Sequence, residues 1–113
     1  MPAAERPLAP ATFHILIALA DEPRHGYGIM QEVADRTGGK IVMSPGTLYG
    51  SIKQMLEEDL IEEVRGRRSS GDDARRRYYR ITASGREAAR QEMARLAELL
   101  KQARVTSLRF EKA

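Results

Sequence analysis

The 113-residue sequence predicts a mainly α domain of the α+β class: three helices, a two-stranded hairpin and one long closing helix. Three observations carry this expectation. Apolar residues recur at helical spacing in four separate stretches. Proline and glycine clusters punctuate the first three of them. Two short β-prone runs, residues 60–65 and 76–82, flank a polar loop. A chain of this length supports a single modest core.

Residues 1–9 carry prolines at 2 and 7 and mixed charge, and read as a flexible arm. A first helix follows from about Pro10 to Ala20. Phe13, Ile15, Leu16, Ile17 and Leu19 make it apolar nearly all round, more than one core face requires. Its surplus face is therefore buried deeply or shared with a partner. Asp21, Glu22 and Pro23 end it. A second helix begins near His25 and runs to about Thr37 on Ile29, Met30 and Val33, and Gly38 and Gly39 stop it. Ile41, Val42 and Met43 form a short β-prone stretch before the next start signal.

That signal opens the third helix, residues 44–58. Ser44 is a good N-cap and Pro45 suits the first helical position. Leu48, Ile52, Met55 and Leu56 mark its buried stripe. Gly46, Thr47, Gly50, Lys53 and Gln54 point the other way, and Tyr49 lies at the edge. Small residues, donors and the positive end of a helix dipole suit entry into a DNA major groove. Taken alone, the pattern fits an ordinary amphipathic helix equally well. With the second helix it makes a helix-turn-helix candidate.

Residues 60–65 read as a strand, 66–75 as a polar loop and 76–82 as the returning strand, with Tyr79 and Ile81 on one face and Tyr78 and Arg80 on the other. Seven arginines lie between residues 65 and 80 against Asp72 and Asp73. The segment thus holds +5, and the rest of the chain sums to −2. Concentrated charge on a nearly neutral body suits a polyanion more than general solubility. Thr82 is a plausible N-cap for a last helix from about Ala83 to Arg104, about 33 Å long. Ala89, Met93, Leu96, Leu100 and Ala103 recur at spacings of four and three, a heptad-like seam that fits pairing with a second copy. No role is assigned to residues 105–113.

Composition also excludes. There is no cysteine, so disulfides and thiolate metal sites are out. The longest apolar run, Phe13 to Ala20, is far short of the roughly 20 residues that span a bilayer, and no signal peptide opens the chain. A soluble cytoplasmic protein with no membrane role is expected. His14 and His25 lack a metal-ligand pattern, and there is no glycine-rich loop after a strand and no Ser/His/Asp arrangement. The expectation is no enzyme, no cofactor and no metal.

The order helix, helix, short strand (residues 41–43), helix, two-stranded wing, long helix is that of a winged helix-turn-helix with a C-terminal extension. The residues also resemble the short branch of the PadR-type transcriptional regulators. The likeness rests on Phe13-His14-Ile15-Leu16, His25-Gly26-Tyr27-Gly28-Ile29, Gly46-Thr47-Leu48-Tyr49, Leu56 with Leu60-Ile61-Glu62, and Arg77-Tyr78-Tyr79-Arg80-Ile81-Thr82 with Gly85. It implies a winged helix-turn-helix DNA-binding domain over residues 1–82 and a dimerisation helix with its tail over 83–113. It also implies a homodimeric repressor on an inverted-repeat DNA operator, released by a small-molecule effector at the dimer interface. The tryptophan slot with which some relatives bind drugs has no counterpart, because the chain has no tryptophan.

The DNA-binding set is then Tyr27, the helix start Ser44, Pro45 and Gly46, the outer face Thr47, Tyr49, Gly50, Lys53 and Gln54, and the arginines Arg67, Arg68, Arg75, Arg76 and Arg77. Phe13, Leu16, Ala89, Met93, Leu96, Leu100 and Ala103 form the dimerisation set. The rival is a winged-helix protein–protein interaction module whose basic wing binds an acidic partner.

Overall fold

The computed structural model describes residues 6–64 and 77–108. In chain order these form α1 (Pro10–Ala18), β1 (Arg24–His25), α2 (Gly26–Arg36), α3 (Pro45–Glu57), β2 (Ile61–Val64), β3 (Tyr78–Ile81) and α4 (Ala83–Arg104). Residues 65–76, which include the whole of the expected loop, lie outside the described residues.

Helix boundaries follow local chemistry. α1 stops two residues before the expected Ala20, because the amides of Leu19 and Ala20 bond back to the carbonyls of Leu16 and Ile17 and tighten the last turn. α2 begins at Gly26, one residue later than expected. His25 is its cap, and its Nδ1 accepts the N–H of Gly28 at 3.0 Å. Gly38, at φ +63°, lets the Gly39 amide reach the Ala34 carbonyl at 2.7 Å and close the helix. Ser44 and Thr82 cap α3 and α4 as expected, accepting the amides of Thr47 and Gly85 at 3.1 and 2.9 Å.

α3 closes in the same way as α2 but without a glycine. Asp59 takes a left-handed φ of 62°, and the Leu60 amide bonds the Met55 carbonyl at 2.9 Å. The Thr82 hydroxyl donates to the Asp59 carbonyl at 2.6 Å, which ties this turn to the start of α4.

The sheet corrects two expectations. Ile41, Val42 and Met43 do not form a strand. No neighbour pairs with them, Val42 is 75% exposed, and Met43 alone turns into the core. The third strand is instead β1, Arg24 and His25, which pairs antiparallel with β3 opposite Tyr79 and Tyr78. β3 also pairs with β2, from Ile61↔Ile81 to Val64↔Tyr78, and is therefore central. A two-residue strand is too short to show a period of two, so no pattern announced it.

The core gathers Ile15 and Leu16 of α1 with Leu19 just after it, Ile29 and Val33 of α2, Leu48, Ile52 and Met55 of α3, and Ile61, Tyr79 and Ile81 of the sheet. α4 enters it through its first half only. Gly85 is pressed against the Leu60 carbonyl, where a Cβ would overlap, and Ala88 follows one turn on. Beyond Glu92 the helix leaves the body: Met93 is 60% exposed and Leu99 52%. No helix among the described residues is long and apolar enough to cross a membrane.

Candidate nucleic-acid interface

α3 presents its amino-terminal half outward. Ser44, Pro45, Gly46, Thr47, Tyr49, Gly50, Lys53 and Gln54 are all exposed, while Leu48, Ile52 and Met55 hold the helix to the core. The Ser44 hydroxyl also bonds that of Thr47 at 3.1 Å, which fixes both polar groups at the helix mouth. A Cβ on Gly50 would meet nothing within 4 Å, and one on Gly46 only the Ser44 hydroxyl at 4.0 Å. Neither glycine has a positive φ. Gly50, inside the helix, weakens it by about 1 kcal/mol relative to alanine, and neither glycine is explained by packing or by a positive φ within the protomer. They leave room for something outside it.

Two tyrosines flank this mouth. The Tyr49 ring lies over the start of α2, where a Cβ on Gly26 would overlap its hydroxyl. That near-contact sets the α2–α3 approach and leaves Tyr49 half exposed. Tyr27, in the first turn of α2, is 59% exposed. Its ring stacks with His25 at 6.5 Å, and His25 meets the Tyr78 ring edge-on at 5.2 Å. His25 therefore caps α2, pairs with β3 and braces Tyr27 at once. Beneath them Tyr79 is buried. Its phenol is pushed above the usual tyrosine range, first by burial and then by Glu63 and Tyr49, with Arg77 opposing. Tyr79 is a neutral core group rather than a contact residue.

The cations divide. Lys53 makes no ion pair with any described residue. Arg77 lies 3.7 Å from Glu63 in an exposed pair, and Arg80 is held by Glu62 through two hydrogen bonds of 2.9 and 2.7 Å. Gln54 donates to Glu58 at 3.1 Å, so its amide is engaged along α3. Arg67, Arg68, Arg75 and Arg76 lie outside the described residues. Among the described residues the surface offers hydroxyls, the Lys53 ammonium and amides at a helix start. Among the described residues no three His, Asp or Glu side chains could hold a metal ion.

The dimerisation set also divides. Leu16 is fully buried in the protomer's own core, so it is not a surface contact. Phe13 and Ala89 are half-buried on opposite walls of an apolar groove between α1 and α4, about 430 Å³, to which Ile17, Ile81 and Met93 also contribute. Leu96 and Leu100 are exposed further along α4, and Ala103 is half-buried near its end. Leu99, absent from the sequence-derived seam, is exposed on the same helix; an unbroken Leu99-Leu100 pair was the signal for it.

Three helices in a compact core, a small sheet behind them and an open amino-terminal half of the third helix define a winged helix-turn-helix of the DNA-binding kind. The model of the transcriptional regulator PadR-like family matches residues 15–91. The chain belongs to that family: it is a PadR-family transcriptional regulator and not an enzyme. The uncharacterised protein X of Lysinibacillus sphaericus is 34% identical over 88 residues, 78% of this chain and 72% of that protein. A transcriptional regulator from Clostridium thermocellum shares the fold with a TM-score of 0.73 at 23% identity, over 86% of this chain and 89% of that one. Bacillus subtilis PadR, solved in complex with operator DNA, gives a TM-score of 0.62 at 18% identity over 73% of this chain. The match covers 45% of that protein, so the chain spans less than half its length.

Proposed function

We propose that the chain acts as a homodimeric repressor that reads an inverted-repeat operator. The amino-terminal half of α3 enters the major groove, and the basic segment 65–80 lies along the phosphates. The observation that carries this reading is the pair of sterically open glycines, Gly46 and Gly50, on the outer face of a capped helix. They admit close approach at a place where the protomer itself needs none. Thr47, Gly50 and Lys53 face base edges, and Tyr27 and Tyr49 fix register on phosphates. Bacillus subtilis PadR, a protein of like fold, is solved in complex with operator DNA, which supports operator binding as the activity.

Dimerisation uses the exposed apolar side of α4, Met93, Leu96, Leu99 and Leu100, continued by Phe13 and Ile17 of α1. An apolar effector acts only by binding a non-operator dimer geometry more tightly. The site for it is the α1–α4 groove.

The test is fluorescence anisotropy of the protein with a duplex of its own upstream intergenic region and with a scrambled duplex, at two salt concentrations. Tight binding to the upstream duplex alone, at two subunits per duplex, is expected. Each phosphate contact contributes about −0.9 to the slope of log affinity against log salt, so Arg76→Ala lowers that slope by about one contact's worth. Equal, weak, salt-abolished binding to both duplexes would overturn operator reading and favour an acidic protein partner for the basic segment.

A further inference from the structure

Glu92 is the only buried charged side chain among the described residues, at 5% exposure. It sits on α4 at the point where the helix leaves the body. Its Oε1 accepts the backbone N–H of Leu8 at 3.1 Å. Arg95, one turn further on, donates to both of its oxygens. A carboxylate stays charged in such a place only when it is paired. An alanine or leucine would fill the position in an ordinary amphipathic helix. The carboxylate adds a directional tie to a main-chain amide 84 residues earlier in the chain.

The tied segment is the amino-terminal arm. Leu8 packs against the edge of the core. Arg6, Pro7, Leu8 and Ala9 wall one side of a cleft of about 270 Å³, and Gln54, Met55 and Glu58 of the last turn of α3 wall the other. α3 and α4 are joined mainly through α1 rather than by broad contact with each other. The arm, tied to α4 and packed on the core, therefore faces the last turn of α3 across this cleft.

We propose that Glu92 is a positioning residue for operator recognition: by clamping the arm between α4 and the end of α3, it sets the attitude of the reading helix relative to the dimer helix. In a homodimer that attitude fixes the separation of the two reading helices, and hence the half-site spacing the protein accepts. The inference rests on the homodimer reading above.

The chain has no cysteine, so Glu57→Cys on the exposed end of α3 gives one spin-label site per subunit. Pulsed electron paramagnetic resonance on the labelled full chain then reports the distance between the two α3 helices. Two clamp variants are compared in that background. Leu8→Pro removes the amide donor in an already proline-rich arm, and Glu92→Gln removes the charge that holds Arg95. Duplexes selected by the parent protein from a random pool supply the DNA probe, with the spacer then lengthened by one base pair.

The parent is expected to show one narrow distance and to reject the lengthened duplex. Variants that still unfold cooperatively are expected to show a broadened or displaced distance and to lose that rejection, while a merely stabilising pair would change the melting temperature alone. Unchanged distance and spacing preference in the folded variants would overturn the proposal; if one variant does not fold, the other decides. A parent that sediments as a monomer and gives no dipolar signal would overturn the homodimer reading, and the proposal with it.

Discussion

Gly50 separates stability from function within one residue. Its Cβ position is empty, so Gly50→Ala removes a helix-propensity penalty and touches nothing. It is expected to raise stability by up to about 1 kcal/mol in urea denaturation. On the proposed reading the same methyl group fills space that DNA would enter, so anisotropy should show weaker operator binding. Lys53→Ala is expected to leave stability unchanged and to relax preference at one base; equal loss on operator and random DNA would remove its base-reading role. These outward residues were legible in the sequence because a stripe of glycine, threonine and lysine opposite a leucine stripe has one orientation on a helix. Glu92 was not. Nothing local distinguishes it from the exposed acids of α4, since its partner amide lies at the other end of the chain. Hydrogen bonding to Arg95 holds its carboxyl below the ordinary value of 4.5 despite burial, aided by the Leu8 amide. A depressed folded value means that the stabilisation is complete above the unfolded pKa and disappears as pH falls through the folded one. The melting temperature of the parent should therefore fall more steeply on acidification below about 4.5 than that of Glu92→Gln.

At the scale of elements, caps decide where helices begin. Ser44, Pro45 and Thr82 were readable because a side-chain oxygen before a helical period has a local job. Thr82 does more than its cap predicts. Its hydroxyl accepts the Gly85 amide and donates to the Asp59 carbonyl, so it joins the α3–β2 turn to α4. Thr82→Ala is expected to cost about 1–2 kcal/mol, the upper range for a cap, measured by chemical denaturation. Thr82→Ser should recover most of it. The elements that sequence reading missed share one cause. β1 exists through partners distant in the chain, Tyr78 and Tyr79, and the Asp59 turn, closed locally without a glycine, is tied down by Thr82 from 23 residues on. The run 41–43 failed for the converse reason, since β-prone residues without a neighbouring strand have no ladder to join.

At the scale of the molecule, the projecting half of α4 is the feature that a lone protomer does not explain. Leu96, Leu99 and Leu100 lie in solvent on a helix whose buried contacts end at Glu92. Leu96→Glu or Leu100→Glu should therefore leave helicity and the core intact while producing a monomer in sedimentation, with operator affinity falling in step. The strand register carries a different consequence. Val64 and Tyr78 face each other across the ladder, so the chain leaves the sheet and returns to it at one place. In polymer terms, the two ends between which the chain of residues 65–77 runs are already pinned. Doubling the length of such a loop costs only about 0.6 kcal/mol of closure entropy. The arginine-bearing stretch can thus gain or lose residues with little effect on the domain that anchors it, and on the proposed reading the reach along a phosphate backbone is free to drift while the fold stands still.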